Sequence, residues 1–240
     1  LALNDGDWAT YLASRELVSP ENPVIDHIAI FNNSALRDDI IRVRLSQQVG
    51  KPLDREQLST DMAEIYALDQ WEIIDYDVVE EERGTVLQIR ASAKTWGGDD
   101  LKFGLNFVTD LDGGSDINLG VSYLWKGLTD LGGELYARTQ LGDTIMFSAE
   151  FYQPLDLRSK FFVVPYVGYR DYDVTTLGPE YDVTDPTGIW RVRRLSTQFD
   201  TGWNAFNNTQ LRLGVFRNKG EYRSDAEFGG ALPEARFDEG

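Results

Sequence analysis

From Leu101 to about Val215 the chain alternates apolar and polar side chains in segments of about ten residues, set apart by glycine-rich or acidic turns. Leu101, Phe103, Leu105 and Phe107 share one face of the first segment and Lys102, Gly104 and Asn106 the other, as the two-residue period of a strand requires. The next segment sets Ile117, Leu119, Val121, Tyr123 and Trp125 against Asn118, Gly120, Ser122 and Lys126. Each segment is close to the about 9–11 residues that a tilted strand needs to cross a bilayer. The pattern predicts strands at about 100–110, 116–126, 132–142, 144–154, 160–172, 188–199 and 207–218. One face wants hydrocarbon and the other water, so residues 97–240 are expected to form an antiparallel transmembrane β-barrel, incomplete in this chain. Leu101, Phe103, Leu105, Phe107, Leu119, Val121 and Tyr123 are its expected lipid-facing residues.

The first hundred residues read differently. Asn4 or Asp5 can cap a short helix through Trp8, Tyr11, Leu12 and Leu17, which ends before Pro20 and Pro23 and reads as a linker over residues 1–23. Val24, Ile25, Ile28, Ile30 and Phe31 then form a strand closed by the Asn32-Asn33-Ser34 turn. A helix carrying Ile40, Ile41, Val43 and Leu45 follows, and Gly50 and Pro52 stop it. Asp54 caps a second helix through Leu58, Met62, Ile65 and Leu68. Two further strands follow, with Trp71, Ile73, Asp75 and Asp77 on one face of the first and Ile74, Tyr76 and Val78 on the other, and with Val86, Leu87, Ile89 and Ala91 in the second. Residues 24–96 are therefore expected to be an α+β unit of order β-α-α-β-β.

Composition narrows the partners. Forty acidic against 23 basic side chains give a net charge of −17, which disfavours nucleic acid because phosphate contacts need clustered Lys and Arg. The absence of cysteine excludes a disulfide framework, a thiolate metal site and a cysteine nucleophile. Aromatic residues gather in the second half, including Tyr123, Trp125, Phe147, Phe151, Phe161, Tyr169 and Trp203, as interfacial girdles of a barrel would use them. A soluble β-rich binding module would instead bury that face against a second sheet.

Candidate chemistry is thin. His27 beside Asp26 lacks the nucleophile that a catalytic imidazole serves and reads as structural. Asp112-Gly113-Gly114 resembles a lipase base motif, but the Gly-x-Ser-x-Gly elbow is missing, so the segment reads as a turn. Asp110, Asp112 and Asp116 lack the spacing of a calcium loop, and Glu80-Glu81-Glu82-Arg83 reads as a solvated hairpin tip. No catalytic residue, cofactor or metal is expected. Arg191, Arg193 and Arg194, with Glu134, Arg138 and Glu150, are expected toward a barrel lumen, although Arg193 and Arg194 cannot both face inward.

The β-α-α-β-β unit resembles a polypeptide-transport-associated (POTRA) domain, the periplasmic module that precedes barrels of the outer-membrane assembly and two-partner-secretion superfamily. Leu53-Asp54-Arg55-Glu56-Gln57-Leu58, Ile65-Tyr66-Ala67-Leu68, Lys94-Thr95-Trp96-Gly97, Leu101-Lys102-Phe103-Gly104-Leu105, Leu131-Gly132-Gly133-Glu134 and Glu150-Phe151-Tyr152-Gln153-Pro154-Leu155 extend the likeness. They are similar to the C-terminal half of patatin-like phospholipase autotransporters, the d-type of type V secretion. The resemblance implies an upstream lipase passenger in the same polypeptide and an outer-membrane translocator or anchor here, with the POTRA domain in the periplasm. It carries over no catalytic residue. It also implies a barrel of sixteen strands, of which this segment holds the first part. Expected partners are outer-membrane lipid, the passenger, the barrel-assembly machinery and, if the sheet closes between chains, a second copy as a homodimer. Ile28, Ile30, Leu87 and Ile89 mark the strand edges expected to meet the passenger by strand addition.

Overall fold

A computed structural model of the chain describes residues 22–94, 100–109, 115–176, 188–206, 209–224 and 235–240. The helix expected from Asp5 to Leu17, Trp96-Gly97-Gly98, the Asp112-Gly113-Gly114 turn and most of the Asp173–Thr187 connection lie outside them.

The first unit runs β1 (His27–Asn32), α1 (Asp39–Arg42), α2 (Arg55–Tyr66), β2 (Trp71–Glu81) and β3 (Gly84–Ala93). Asp54 caps α2 as the sequence predicts, its side chain accepting from the Gln57 amide at 3.0 Å. The helix expected around Ile40 is shorter than predicted. It stops at Arg42, and Val43 and Leu45 continue as turn and coil while the Arg44 guanidinium returns to the Ile40 carbonyl at 2.7 Å. The three strands order as β1-β3-β2, with β1 parallel and β2 antiparallel to β3.

The helices cover one face of this sheet. Ile25, Ile40, Ile41, Leu58, Ile65, Trp71, Leu87 and Ile89 are all buried in one cluster. The β2 pattern changes parity at its start, because a bulge between Trp71 and Ile73 puts Trp71 on the same inward face as Ile74, Tyr76 and Val78 and leaves Ile73 outside. Glu82 and Arg83 alone link β2 to β3, so the acidic run is a hairpin tip.

The second unit is one antiparallel sheet of eight strands: β4 (Asp100–Thr109), β5 (Ser115–Trp125), β6 (Glu134–Gly142), β7 (Ile145–Pro154), β8 (Phe161–Thr176), β9 (Gly188–Phe206), β10 (Thr209–Ser224) and β11 (Ala235–Glu239). Each pairs with its sequence neighbour, the simplest meander that short turns allow. The seven expected strands are present and β11 is an addition. Among the described residues the sheet is open, with β4 and β11 at its edges.

Candidate functional site

Registers across the sheet sort its side chains into two faces. One row runs Tyr123, Ala137, Ala149 and Val167 across β5 to β8, and the next runs Val121, Thr139, Phe147, Tyr169 and Leu195 across β5 to β9. Leu101, Phe103, Leu105 and Phe107 pair with Tyr123, Val121, Leu119 and Ile117, so all seven candidate lipid-facing residues share this face. It is bare of protein cover: Phe103, Leu105, Leu213 and Val215 are 72%, 73%, 79% and 72% exposed. Such contiguous apolar exposure calls for a nonaqueous neighbour.

The band has limits. Phe161 and Trp203 pair at one end of the β8–β9 stretch, and Phe147 and Tyr169 pair toward the other. From Phe161 to Tyr169 is about 26 Å along the strand, or about 20 Å of height at a tilt of about 40°, comparable to the apolar belt of outer-membrane barrels. Beyond Tyr169 the same face turns ionic, with Asp171 bonded to Arg193 at 3.1 Å and Arg193 reaching Glu221 at 3.4 Å. Arg191 and Arg193 thus point to the outer side, contrary to the lumen placement expected for them. They sit where β8 to β10 extend past the apolar band and water can solvate both faces.

The opposite face is polar and packed on itself. Gln198 donates to both carboxylate oxygens of buried Asp200, at 2.8 and 2.9 Å. The Arg212 guanidinium lies 5.4 Å over the Phe162 ring, with the Glu150 carboxylate 4.0 Å away. Phe162 in turn rests against Gly202, where a Cβ would collide with the ring at 2.1 Å. Arg138, Glu150 and Arg194 fall on this side by register, as expected for a lumen.

The small unit is fastened to the end of the sheet where 126–133 joins β5 to β6 and 155–160 joins β7 to β8. Asp69, held at φ 55° just beyond α2, forms ion pairs with Lys94 from the end of β3 and Lys126 from the end of β5. Gln70 donates to Glu134 at 3.2 Å, and the Arg37 amide donates to the Asp130 carbonyl at 3.0 Å. Arg44 reaches the Leu157 carbonyl at 2.7 Å, Arg158 reaches back to the Val43 carbonyl, and the Leu157 side chain packs on the small unit's core. No sequence signal singled out Asp69; its partners lie 25 and 57 residues away.

The two lysines hold the Asp69 carboxyl below its ordinary value of 3.8, through hydrogen bonds first and charge second. Asp69 likewise raises the Lys126 ammonium above 10.5. A depressed carboxylate contributes stability that is present above its unfolded pKa and lost as pH falls through the folded one. A raised ammonium contributes below its unfolded pKa and loses that contribution as pH climbs past the folded one. The clamp is therefore intact from about pH 4 to about pH 10. Asp69→Asn is expected to preserve the left-handed backbone, which Asn also tolerates, and to increase protease nicking between the two units at pH 7. Parent protein should show the same sensitivity only below about pH 4. Equal nicking of parent and variant at pH 7 would remove the clamp from the account.

No protein-family profile matches the chain, and no curated protein sequence does. Solved structures do. BamA from Haemophilus ducreyi lacking POTRA domains 1–3 matches with a TM-score of 0.64 at 13% identity, over 84% of this chain and 36% of that one. CdiB from Acinetobacter baumannii matches with a TM-score of 0.53 at 10% identity, over 85% of this chain and 39% of that one. The likeness is one of fold. Both neighbours are outer-membrane β-barrel translocators, and this chain spans less than two fifths of each.

Two of the expected passenger-contact positions need correction. Leu87 and Ile89 lie on β3, which is the central strand, and both side chains are fully buried, so β3 offers no edge. Ile28 and Ile30 lie on β1, which is an edge strand, with side chains packed against the core. The edge that sequence reasoning passed over is β2, whose eleven residues pair with β3 on one side only among the described strands. His27 stands exposed on β1.

Proposed function

We propose that this chain is the membrane-embedded translocator and anchor portion of a bacterial outer-membrane secretion protein. The observation that carries the reading is a single sheet with a bare apolar outer face and a mainly polar inner one, with a folded β-α-α-β-β unit clamped to one end. On this reading the end that carries the small unit is the periplasmic one, where a POTRA-type domain would sit. The fold likeness to two outer-membrane translocators supports the same assignment. The resemblance of several segments to patatin-like autotransporters is the ground for reading the passenger as an upstream lipase, with hydrolysis belonging to that domain and not to this segment.

The small unit then receives an extended passenger by strand addition at β1 or β2 and hands it to the sheet's polar face. The Asn33 amide donates to the Ala91 carbonyl at 3.2 Å, and amides of alternate residues in a parallel strand point to the same neighbour. Ala29 and Phe31 accordingly donate to β3, while the Ile28 and Ile30 amides point to the open edge. With the Ala91 carbonyl turned to β1, Arg90 faces β2 and bonds its partner Asp75, so the Glu80 amide is among those that face outward on β2. Ile28→Pro should reduce surface display of the passenger while leaving the ladder intact, and the corresponding change at β2, Glu80→Pro, tests the longer edge. Ala29→Pro should unfold the unit by breaking the ladder itself. Undiminished display in both edge variants, with the chain inserted, would favour a role as anchor alone.

A further inference from the structure

The outward face carries a recess that a uniform lipid-facing wall does not need. In the two rows described above, Ala137, Ala149 and Thr139 stand side by side on β6 and β7, walled by Tyr123, Phe147 and Tyr169. The recess has a volume of about 430 Å³ and an almost wholly apolar lining. One strand beyond Leu195, in the same row, is Lys219, and one row farther along is Arg193. The recess therefore ends beneath cations.

Those cations belong to a wider cluster. On this face the far ends of β9 to β11 carry Arg191, Arg193, Arg217, Lys219, Arg223 and Arg236, and the carboxylates of the same face on β8 to β11 number four. In a chain of net charge −17 this patch is locally positive. Lys219 is 56% exposed, and its one carboxylate neighbour, Asp238, is 3.9 Å away and already bonded to Arg217 at 2.7 Å.

We propose that the recess and this basic rim form a binding site for one phosphate-bearing anionic lipid. Its acyl chain lies on Ala137, Thr139 and Ala149, and its phosphate sits at Lys219 and Arg193. The site rests on the membrane reading above. Geometry supports it at both ends of the ligand: the small side chains leave room at a depth where only hydrocarbon is available, and the cations begin where the apolar band stops. Cations at that level attract anionic headgroups.

The test uses the full chain inserted in phosphatidylcholine bilayers, with spin-labelled phosphatidylglycerol or spin-labelled phosphatidylcholine, reading the immobilised fraction by electron paramagnetic resonance. Parent protein should prefer phosphatidylglycerol by about fivefold. Arg193→Gln with Lys219→Gln should bring the preference close to unity, and Lys219→Gln alone, at an exposed position that does not threaten folding, should lower it part of the way. Ala149→Phe should reduce immobilisation of both lipids by filling the recess. Equal immobilisation of the two lipids by parent protein, or a preference unchanged in all three variants, would overturn the site while leaving the membrane wall intact. No immobilisation of either lipid would overturn the membrane reading itself.

Discussion

Phe199→Arg should abolish stable membrane insertion, whereas Gln198→Arg, one residue away, should leave insertion unchanged. Phe199 lies midway along the apolar stretch of β9 between Leu195 and Trp203, half exposed, with Pro165 and Val215 beside it on the same face. A guanidinium there has Pro165 and Val215 across the strands and Thr197 and Thr201 along its own, and on a lipid-facing wall it costs about 2–4 kcal/mol at the bilayer midplane. Gln198 faces the other way and already donates to Asp200, so an arginine at that position replaces two amide bonds with a charge-assisted fork. The contrast is read from the membrane-integrated fraction after carbonate extraction. Equal integration of the two variants would mean that the apolar face meets protein and not lipid.

The second large effect belongs to the small unit. Trp71→Ala is expected to unfold it, with a loss of about 3–5 kcal/mol. Trp71 is 1% exposed, and its indole N–H donates to Asn32 Oδ1 at 3.1 Å and Ser34 Oγ at 3.2 Å. Asn32 also holds the turn after β1, donating to the Leu36 carbonyl at 2.8 Å and accepting from the Ser34 amide at 3.0 Å. The substitution leaves a void in the core and removes the donor that ties this turn to β2. Against a total stability of about 5–15 kcal/mol for a small domain, little remains. Hydrogen exchange should show β1 and β3 losing protection while β5 to β9 keep theirs. Protection lost equally in both units would make them one cooperative body.

The strands of the wall were legible because their apolar and polar faces alternate over the full height of the hydrocarbon band. Where the band ends, so does the signal. The extensions of β8 and β10 to Thr176 and Ser224 carry charge on the outer face, and β11, with the sequence Ala-Arg-Phe-Asp-Glu, pairs entirely within that ionic region. The sequence pattern ends β9 at Phe199 although the strand continues to Phe206, because Thr201, on the outward face between Phe199 and Trp203, interrupts the apolar row.

In the small unit the order β-α-α-β-β could be read from caps and periodicity, but the sheet order could not. Which strand is central depends on pairing between segments some sixty residues apart, and local alternation contains no such information. A trace was present all the same: Val86, Leu87 and Ile89 are buried with one polar interruption, denser than β1 or β2, as a strand covered by two neighbours tends to be. The Asp69 clamp was invisible for the same reason, since it joins three segments that meet only after both sheets have formed.

The central claim is that the eight-stranded sheet is part of the wall of an outer-membrane barrel. Expression of the full open reading frame, followed by outer-membrane fractionation and gel electrophoresis with and without heating, tests it most directly. A closed barrel resists unfolding in detergent until heated, so the account predicts an outer-membrane band whose mobility shifts on boiling. A soluble protein whose mobility is the same before and after heating would contradict it.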